Sequence, residues 1–240
     1  DTYADVYLND SLILHANNMF REWTIDCRSL LRKQGNCLRI YFKSPINQAL
    51  AEKSKYGIAL PNVSEPLTSG LVESNQLTCQ YIRKAPYQFG WDWGPRLVTS
   101  GIWRPVFIKA WDDAIIDNVH FVNKKISTNS ASLKVKIRIN SAVNIKTEIK
   151  VSCENQNMKP ICLKANLTSG VNEIEVPIEI KQPRLWWCNG LGEPFLSQFK
   201  TELVHNKRVL DQKNTDVGIR TLKLIQEKDS IGKSFAFEIN

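Results

Sequence analysis

Metal-site and nucleophile signatures are missing from this 240-residue chain. Its six cysteines, Cys27, Cys37, Cys79, Cys153, Cys162 and Cys188, form no CxxC pair and have no nearby histidine. That excludes the usual zinc sites. Buried thiols are expected instead, although Cys153 and Cys162 are spaced to bridge a hairpin. The three histidines, His15, His120 and His205, are scattered. None stands in a Ser-His-Asp or metal-ligand spacing, and no phosphate-binding glycine loop is present. No metal and no cofactor are therefore expected. No run approaches the ~20 apolar residues of a membrane span. No nucleic-acid motif occurs either, so neither a membrane nor a nucleic acid is an expected partner. A signal peptide is also lacking: the chain opens Asp1-Thr2-Tyr3-Ala4-Asp5 with no basic stretch and no apolar one behind it. It reads as a start inside a strand, so a piece of a longer protein is expected.

What is present suffices for an ordered core. Apolar residues make up 42% of the chain, well above disordered compositions. The net charge is +8, and between Ile115 and Arg220 sixteen Lys and Arg face ten Asp and Glu. The cations alternate with apolar residues, as Lys134, Lys136 and Arg138 do, which puts them on the solvent face of a strand. Three N-x-S/T sequons stand at Asn9, Asn62 and Asn166. Such short motifs also arise by chance.

Period-2 alternation recurs throughout, so an all-β chain is expected. In residues 1–112, Ala4, Val6 and Leu8 alternate with Tyr3, Asp5 and Tyr7. Asn9-Asp10 is turn chemistry, a return strand begins at Leu12–Leu14, and Leu38, Ile40 and Phe42 form another strand. Asp26 is placed to cap a short helical turn over Cys27–Lys33, ended by Gly35 in the left-handed conformation. Gln48 to Tyr56 could be a helix, and Pro61, Pro66 and Gly70 make the stretch to Leu77 a long loop. Residues 113–221 read as a second β-sandwich, immunoglobulin-like in strand spacing, with strands at Leu133–Ile139, Val143–Ile145 then Ile149–Val151, and Ile174–Ile180.

The most informative stretch is Arg83 to Trp111, which holds Trp91, Trp93, Trp103 and Trp111. Trp91-Asp92-Trp93 sets one carboxylate between two indoles, and Gly94-Pro95 follows. Gly and Pro exclude a strand centre. Indole faces stack on the C–H side of a sugar ring, and a carboxylate accepts hydrogen bonds from its hydroxyls. The other reading is a core Trp pair with Asp92 capping a turn. For Trp186 and Trp187, core packing is preferred.

This run resembles the β-mannosidases of glycoside hydrolase family 2. Thr99-Ser100-Gly101-Ile102-Trp103-Arg104-Pro105-Val106 resembles the signature that ends the family's amino-terminal sandwich. Arg83-Lys84 through Phe89-Gly90-Trp91-Asp92-Trp93-Gly94-Pro95 resembles the β-mannosidase branch. Pro183 to Leu196 and Val217 to Thr221 resemble the family's immunoglobulin-like domain, and Ser234 to Asn240 its short strand before the catalytic barrel. The resemblance implies a jelly-roll-like, galactose-binding-like β-sandwich over 1–112, an immunoglobulin-like β-sandwich over 113–221, and a lead-in over 222–240 to a (β/α)8 barrel that the sequence does not contain. It further implies a carbohydrate partner, a terminal β-mannoside, bound in part by Trp91, Asp92 and Trp93. Trp91 would wall the sugar, and Trp93 would pack behind it. Arg83 and Lys84 would orient this tip or touch sugar. A lysosomal, secreted or periplasmic setting is implied by the resemblance alone.

Family members use two carboxyl groups about 5–5.5 Å apart, one as general acid/base and one as nucleophile, both on barrel strands. No catalytic residue is therefore expected within these 240 residues. The one Asn-Glu pair, Asn172-Glu173, is rejected: Glu173, Glu175 and Glu179 fall on the polar face of a strand whose apolar face is Ile174, Val176, Ile178 and Ile180. The leading expectation is the non-catalytic part of a retaining exo-β-mannosidase. An exo-β-glucosaminidase of the same family is one alternative. A free-standing carbohydrate-binding protein of two sandwiches is the other.

Overall fold

Strands dominate a computed structural model of the chain, which describes residues 1–62, 65, 77–91 and 93–240. The chain is all-β apart from one α-helix and a few 3-10 turns among the described residues. It divides into two units, Asp1–Ile108 and Lys109–Asn240.

In the first unit β1 (Tyr3–Leu8) is the centre of a three-stranded antiparallel sheet, between β2 (Ser11–Asn17) and β3 (Leu38–Phe42). The β1–β2 connection is set by Asn9 and Asp10, both at positive φ (48° and 68°). That is the mirror-image hairpin turn whose twist matches the strands. Asp5 departs from the expected alternation. It belongs to the polar face but is 91% buried in effect, at 9% exposure. Lys43 Nζ at 2.8 Å and His15 Nδ1 at 2.6 Å cover its carboxylate.

The short turn after Asp26 is shorter than expected. It is a 3-10 turn over Arg28–Leu30, with the Asp26 carboxylate accepting from Arg28 N at 3.0 Å. It stops because the Asn36 side chain takes both backbone groups of Arg32, accepting from its N–H and donating to its C=O at 2.8 Å each. Gly35 does take the left-handed conformation, φ +69°.

The helix α1 spans Pro45–Tyr56, starting three residues before the expected Gln48. Ser44 accepts from Asn47 N at the N-cap, Pro45 opens the first turn, and Gly57 closes the last in the left-handed conformation. Proline at the start and glycine past the end suit the groups a helix leaves unpaired there. Most of the long loop expected up to Leu77, including Pro66 and Gly70, lies outside the described residues. A small core under this region joins Ala49 of α1 to Cys79, Ile82 and Phe89, with Tyr3 and Val98 against it.

The second unit is a sandwich of seven strands plus a terminal hairpin. One sheet has the order β4 (Ala114–Ile126), β5 (Ser130–Ser141), β8 (Gly170–Lys181). The other has the order β10 (Arg208–Val217), β9 (Ser197–His205), β6 (Ile145–Cys153), β7 (Ile161–Leu167). The chain changes sheet after β5, after β7 and after β8, the Greek-key pattern of immunoglobulin-like domains. Both sheets supply the core: Leu133, Val135, Ile137, Ile139, Val176, Ile178 and Ile180 meet Ile149, Val151, Phe199 and Leu203. On β5 and β8 the opposite parity is solvated. There Lys134 pairs with Glu175 at 2.5 Å and Arg138 with Glu173 at 3.0 Å.

No bridge joins Cys153 and Cys162. In the β6–β7 ladder Cys162 lies opposite Lys150, so the two cysteines point to opposite faces. Cys153 is buried and Cys162 exposed, and Cys37 is exposed too, so burial does not extend to every thiol. After Thr221 the hairpin of β11 (Leu222–Ile225) and β12 (Ala236–Ile239) stands apart from both sheets.

Candidate functional site

The tryptophan tip rises from a short, firmly held segment. Ala85 and Pro86 start a 3-10 turn, Pro86–Phe89, which Gly90 closes at φ 93° by donating to Tyr87 O. Phe89 is wholly buried in the small core beneath, with the Arg96 guanidinium 5.7 Å from its ring centre. Leu97 N donates to Gln88 O at 3.0 Å, which brings the outgoing chain back beside the incoming one. At the top, Trp91 N donates to Gly94 O at 3.0 Å and Gly94 N returns a bond to Trp91 O at 3.3 Å. The turn is thus closed by its own backbone.

Both indoles of the tip reach solvent, Trp91 at 38% exposure and Trp93 at 84%. Within the unit Trp93 is the more exposed of the two. A buried Trp pair is excluded. Asp92 lies outside the described residues. Trp103 and Trp111 are also exposed, so the four indoles of the stretch do not gather into a core. In the second unit Trp186 is half-buried under the Arg220 guanidinium, 4.5 Å from its ring centre, a packing role.

Two buried ionic groups brace the base of the tip: Lys84, named above by resemblance, and Glu65, which the sequence reading did not single out. Lys84 has no exposed side-chain surface and pairs with the Asp1 carboxylate at 2.5 Å. Asp1 and Gly101 exchange two backbone hydrogen bonds of 2.9 and 3.0 Å. Lys84 therefore links the stretch before the tip to the stretch after it. Burial pulls its ammonium down to about 8, although the carboxylate beside it favours the charged form. This burial makes Lys84 a structural cation rather than a group that touches sugar. Arg83 is exposed, and its C=O accepts from Met19 N at 3.0 Å.

The second brace is Glu65, 1% exposed. Its carboxylate accepts from Thr78 N at 2.7 Å and Cys79 N at 3.0 Å, and Arg96 Nη2 lies 3.5 Å away. Asn62 caps the Glu65 N–H through Oδ1 and donates Nδ2 to its carboxylate. The spacing Asn62-x-x-Glu65 is that of a capping box, the local signal that could have pointed to this residue. Burial and the Glu65 charge push the Cys79 thiol up to about 12, which leaves it an inert packing group.

None of these groups offers glycosidase chemistry. Asp5, Glu175 and Asp229 are all held below the usual carboxylate range, by Lys43, by Lys134 and by the backbone N–H of Gly232 respectively. A general acid needs a shift in the other direction. Among the described residues no group of three or more His, Cys, Asp or Glu could hold a metal ion.

The chain matches two family models. One, described as the glycosyl hydrolase 2 galactose-binding domain-like domain, covers residues 1–104. The other, described as glycosyl hydrolases family 2, covers residues 114–220. Over its whole length the chain is 30% identical to beta-mannosidase B of Aspergillus terreus and 32% identical to that of Aspergillus oryzae. It spans 27% of the length of each of these relatives. A crystal structure of a beta-D-mannosidase from Dictyoglomus thermophilum is similar over the whole chain and 28% of its own, at 31% identity and a TM-score of 0.84. An exo-chitosanase of Amycolatopsis orientalis shares the fold at 14% identity and a TM-score of 0.66, over 98% of this chain and 24% of its own. With two successive domains matched and both sheets of the second in place, this chain belongs to glycosyl hydrolase family 2.

Proposed function

We propose that these 240 residues are the non-catalytic amino-terminal part of a retaining exo-β-mannosidase, which removes terminal non-reducing β-D-mannose from β-D-mannosides. The observation that carries this reading is the likeness to the Dictyoglomus beta-D-mannosidase, 31% identical with a TM-score of 0.84 across the full chain. Family members of other activity share the fold at about half that identity or less, the exo-chitosanase at 14%. In the whole enzyme a catalytic barrel, the partner of these two domains, supplies both carboxyl groups.

The part of this chain in catalysis is to hold the terminal sugar. The exposed indoles of Trp91 and Trp93 give it an apolar surface to stack on. Asp92 accepts hydrogen bonds from hydroxyls remote from the bond that breaks. Such contacts orient the ring and add binding energy that the transition state uses.

The test is Asp92→Ala in the full-length enzyme, with melting temperature and kcat/KM measured on the same preparation. On an aryl β-mannoside, kcat/KM should fall roughly 10²-fold or more, since one or two charge-assisted bonds of about 1.5–3 kcal/mol each are lost. The melting temperature should hold. A less stable variant with full activity would make Asp92 a turn cap. A wild type faster on the aryl β-glucosaminide than on the β-mannoside would replace the substrate assignment.

A further inference from the structure

The three sequons meet very different surroundings in the folded chain. An N-linked glycan replaces one of the two hydrogens on the asparagine Nδ2 and needs open space beyond it. Asn9 has neither. Its Nδ2 donates to Leu30 O and to Asn36 Oδ1 at 2.8 Å each, and its Oδ1 accepts from Cys37 N at 2.9 Å. Both hydrogens hold the hairpin turn against the loop before β3. Asn62 is committed in the same way. Its Nδ2 donates to the buried Glu65 carboxylate and to Gln80 Oε1 at 3.2 Å, while its Oδ1 caps Glu65 N at 3.2 Å. A sugar on either asparagine would break one of these hydrogen bonds.

Asn166 is the opposite case. It lies near the end of β7, the edge strand of the four-stranded sheet. Cys162, Lys164 and Asn166 form the exposed parity of that strand, and Leu167 turns into the core. Across the ladder stands Lys146, also exposed. The Asn166 amide makes no hydrogen bond among the described residues, and Thr168, which completes the sequon, is exposed.

We propose that Asn166 is an N-glycosylation site, and that Asn9 and Asn62 are not, because the fold spends both Nδ2 hydrogens at those two positions. The donor is an oligosaccharide carried on a lipid diphosphate. Asn166 Nδ2 bonds to the anomeric carbon as the bond from that carbon to the diphosphate oxygen breaks. The lipid diphosphate leaves with the electron pair, and Nδ2 gives up one proton.

The experiment takes the full-length protein secreted from a eukaryotic host and releases its glycans with peptide N-glycosidase in heavy-oxygen water. Each formerly glycosylated asparagine then becomes a labelled aspartate that peptide mapping locates. The label should fall on the peptide holding Asn166 and be absent from those holding Asn9 and Asn62. Asn166→Gln should lose one glycan while Asn9→Gln and Asn62→Gln lose none. If the last two variants are not secreted, the map of the unaltered protein decides alone. A secreted protein with Asn166 unlabelled, or with label on Asn9 or Asn62, overturns the proposal.

Discussion

At the scale of single residues, the polar groups that matter most are those the chain has buried. Asp5 is the clearest. Its carboxyl is held below its ordinary 3.8 first by the Lys43 hydrogen bond and then by that of His15. A carboxyl depressed on folding binds fewer protons folded than unfolded. Its contribution is therefore complete above pH ~4 and is lost as pH falls through the lower folded value. Asp5→Asn should accordingly flatten the acid limb of stability. Melting curves between pH 5 and pH 2 should show the wild type losing its advantage over the variant as acid is added. Parallel curves would mean that the cluster contributes nothing. Glu65 is the costlier residue to lose. Without it, Thr78 N and Cys79 N lose their acceptor and the partly buried Arg96 its carboxylate. Breaking a buried pair from one side costs about 3–5 kcal/mol, so Glu65→Ala should destabilise by that order in denaturant unfolding. A loss under ~1 kcal/mol would show that the neighbours find water instead.

At the scale of elements, legibility followed contact range. The strands β5 and β8 could be read because burial on one face writes a period of two directly into the sequence, as Leu133-Val135-Ile137-Ile139 does. The α1 start was missed because Ser44-Pro45 is a capping signal, not an apolar one. Lys84 was named by resemblance, but its pairing could not be read: its partner Asp1 is 83 positions away, and no local pattern encodes such a pair. The tip itself was legible as residue types and by resemblance, whereas the greater exposure of Trp93 depends on a fold that composition does not reveal. A contrast of two glycines tests the loop between β8 and β9. A Cβ on Gly192 would stand 2.8 Å from Trp187 Cγ, whereas one on Gly190 would meet nothing within 4 Å. Gly190→Ala should cost only the left-handed strain at φ +84°, about 1–2 kcal/mol. Gly192→Ala drives backbone-borne carbon into a tryptophan and adds overpacking of about 1–3 kcal/mol. Trp187 fluorescence should also shift in the second variant and not in the first. Equal losses with unchanged fluorescence would mean that the indole yields freely.

At the scale of the whole molecule, the proposed division of labour is that these two units hold the sugar while another domain carries the chemistry. Retaining hydrolysis needs one carboxyl kept protonated near neutral pH beside a second, ionised one about 5–5.5 Å away. A raised pKa comes from desolvation or from a neighbouring like charge. Here Glu173, Glu175, Glu193 and Glu238 each sit within ion-pair distance of a Lys or Arg, and Lys134 holds the Glu175 carboxyl below its usual range. The one fully buried described glutamate, Glu65, has its carboxylate committed to the backbone N–H groups of Thr78 and Cys79. The 240-residue chain by itself should therefore show no turnover of an aryl β-mannoside, even at high enzyme concentration and after hours. Any trace activity should track contamination, be removed by further purification and be indifferent to Glu173→Gln. Full-length enzyme serves as the positive control in the same assay. Turnover that co-purifies with the chain and disappears on replacing one of its own carboxylates would place catalytic chemistry on these sandwiches, and would sink the reading of this region as the part that only holds the sugar.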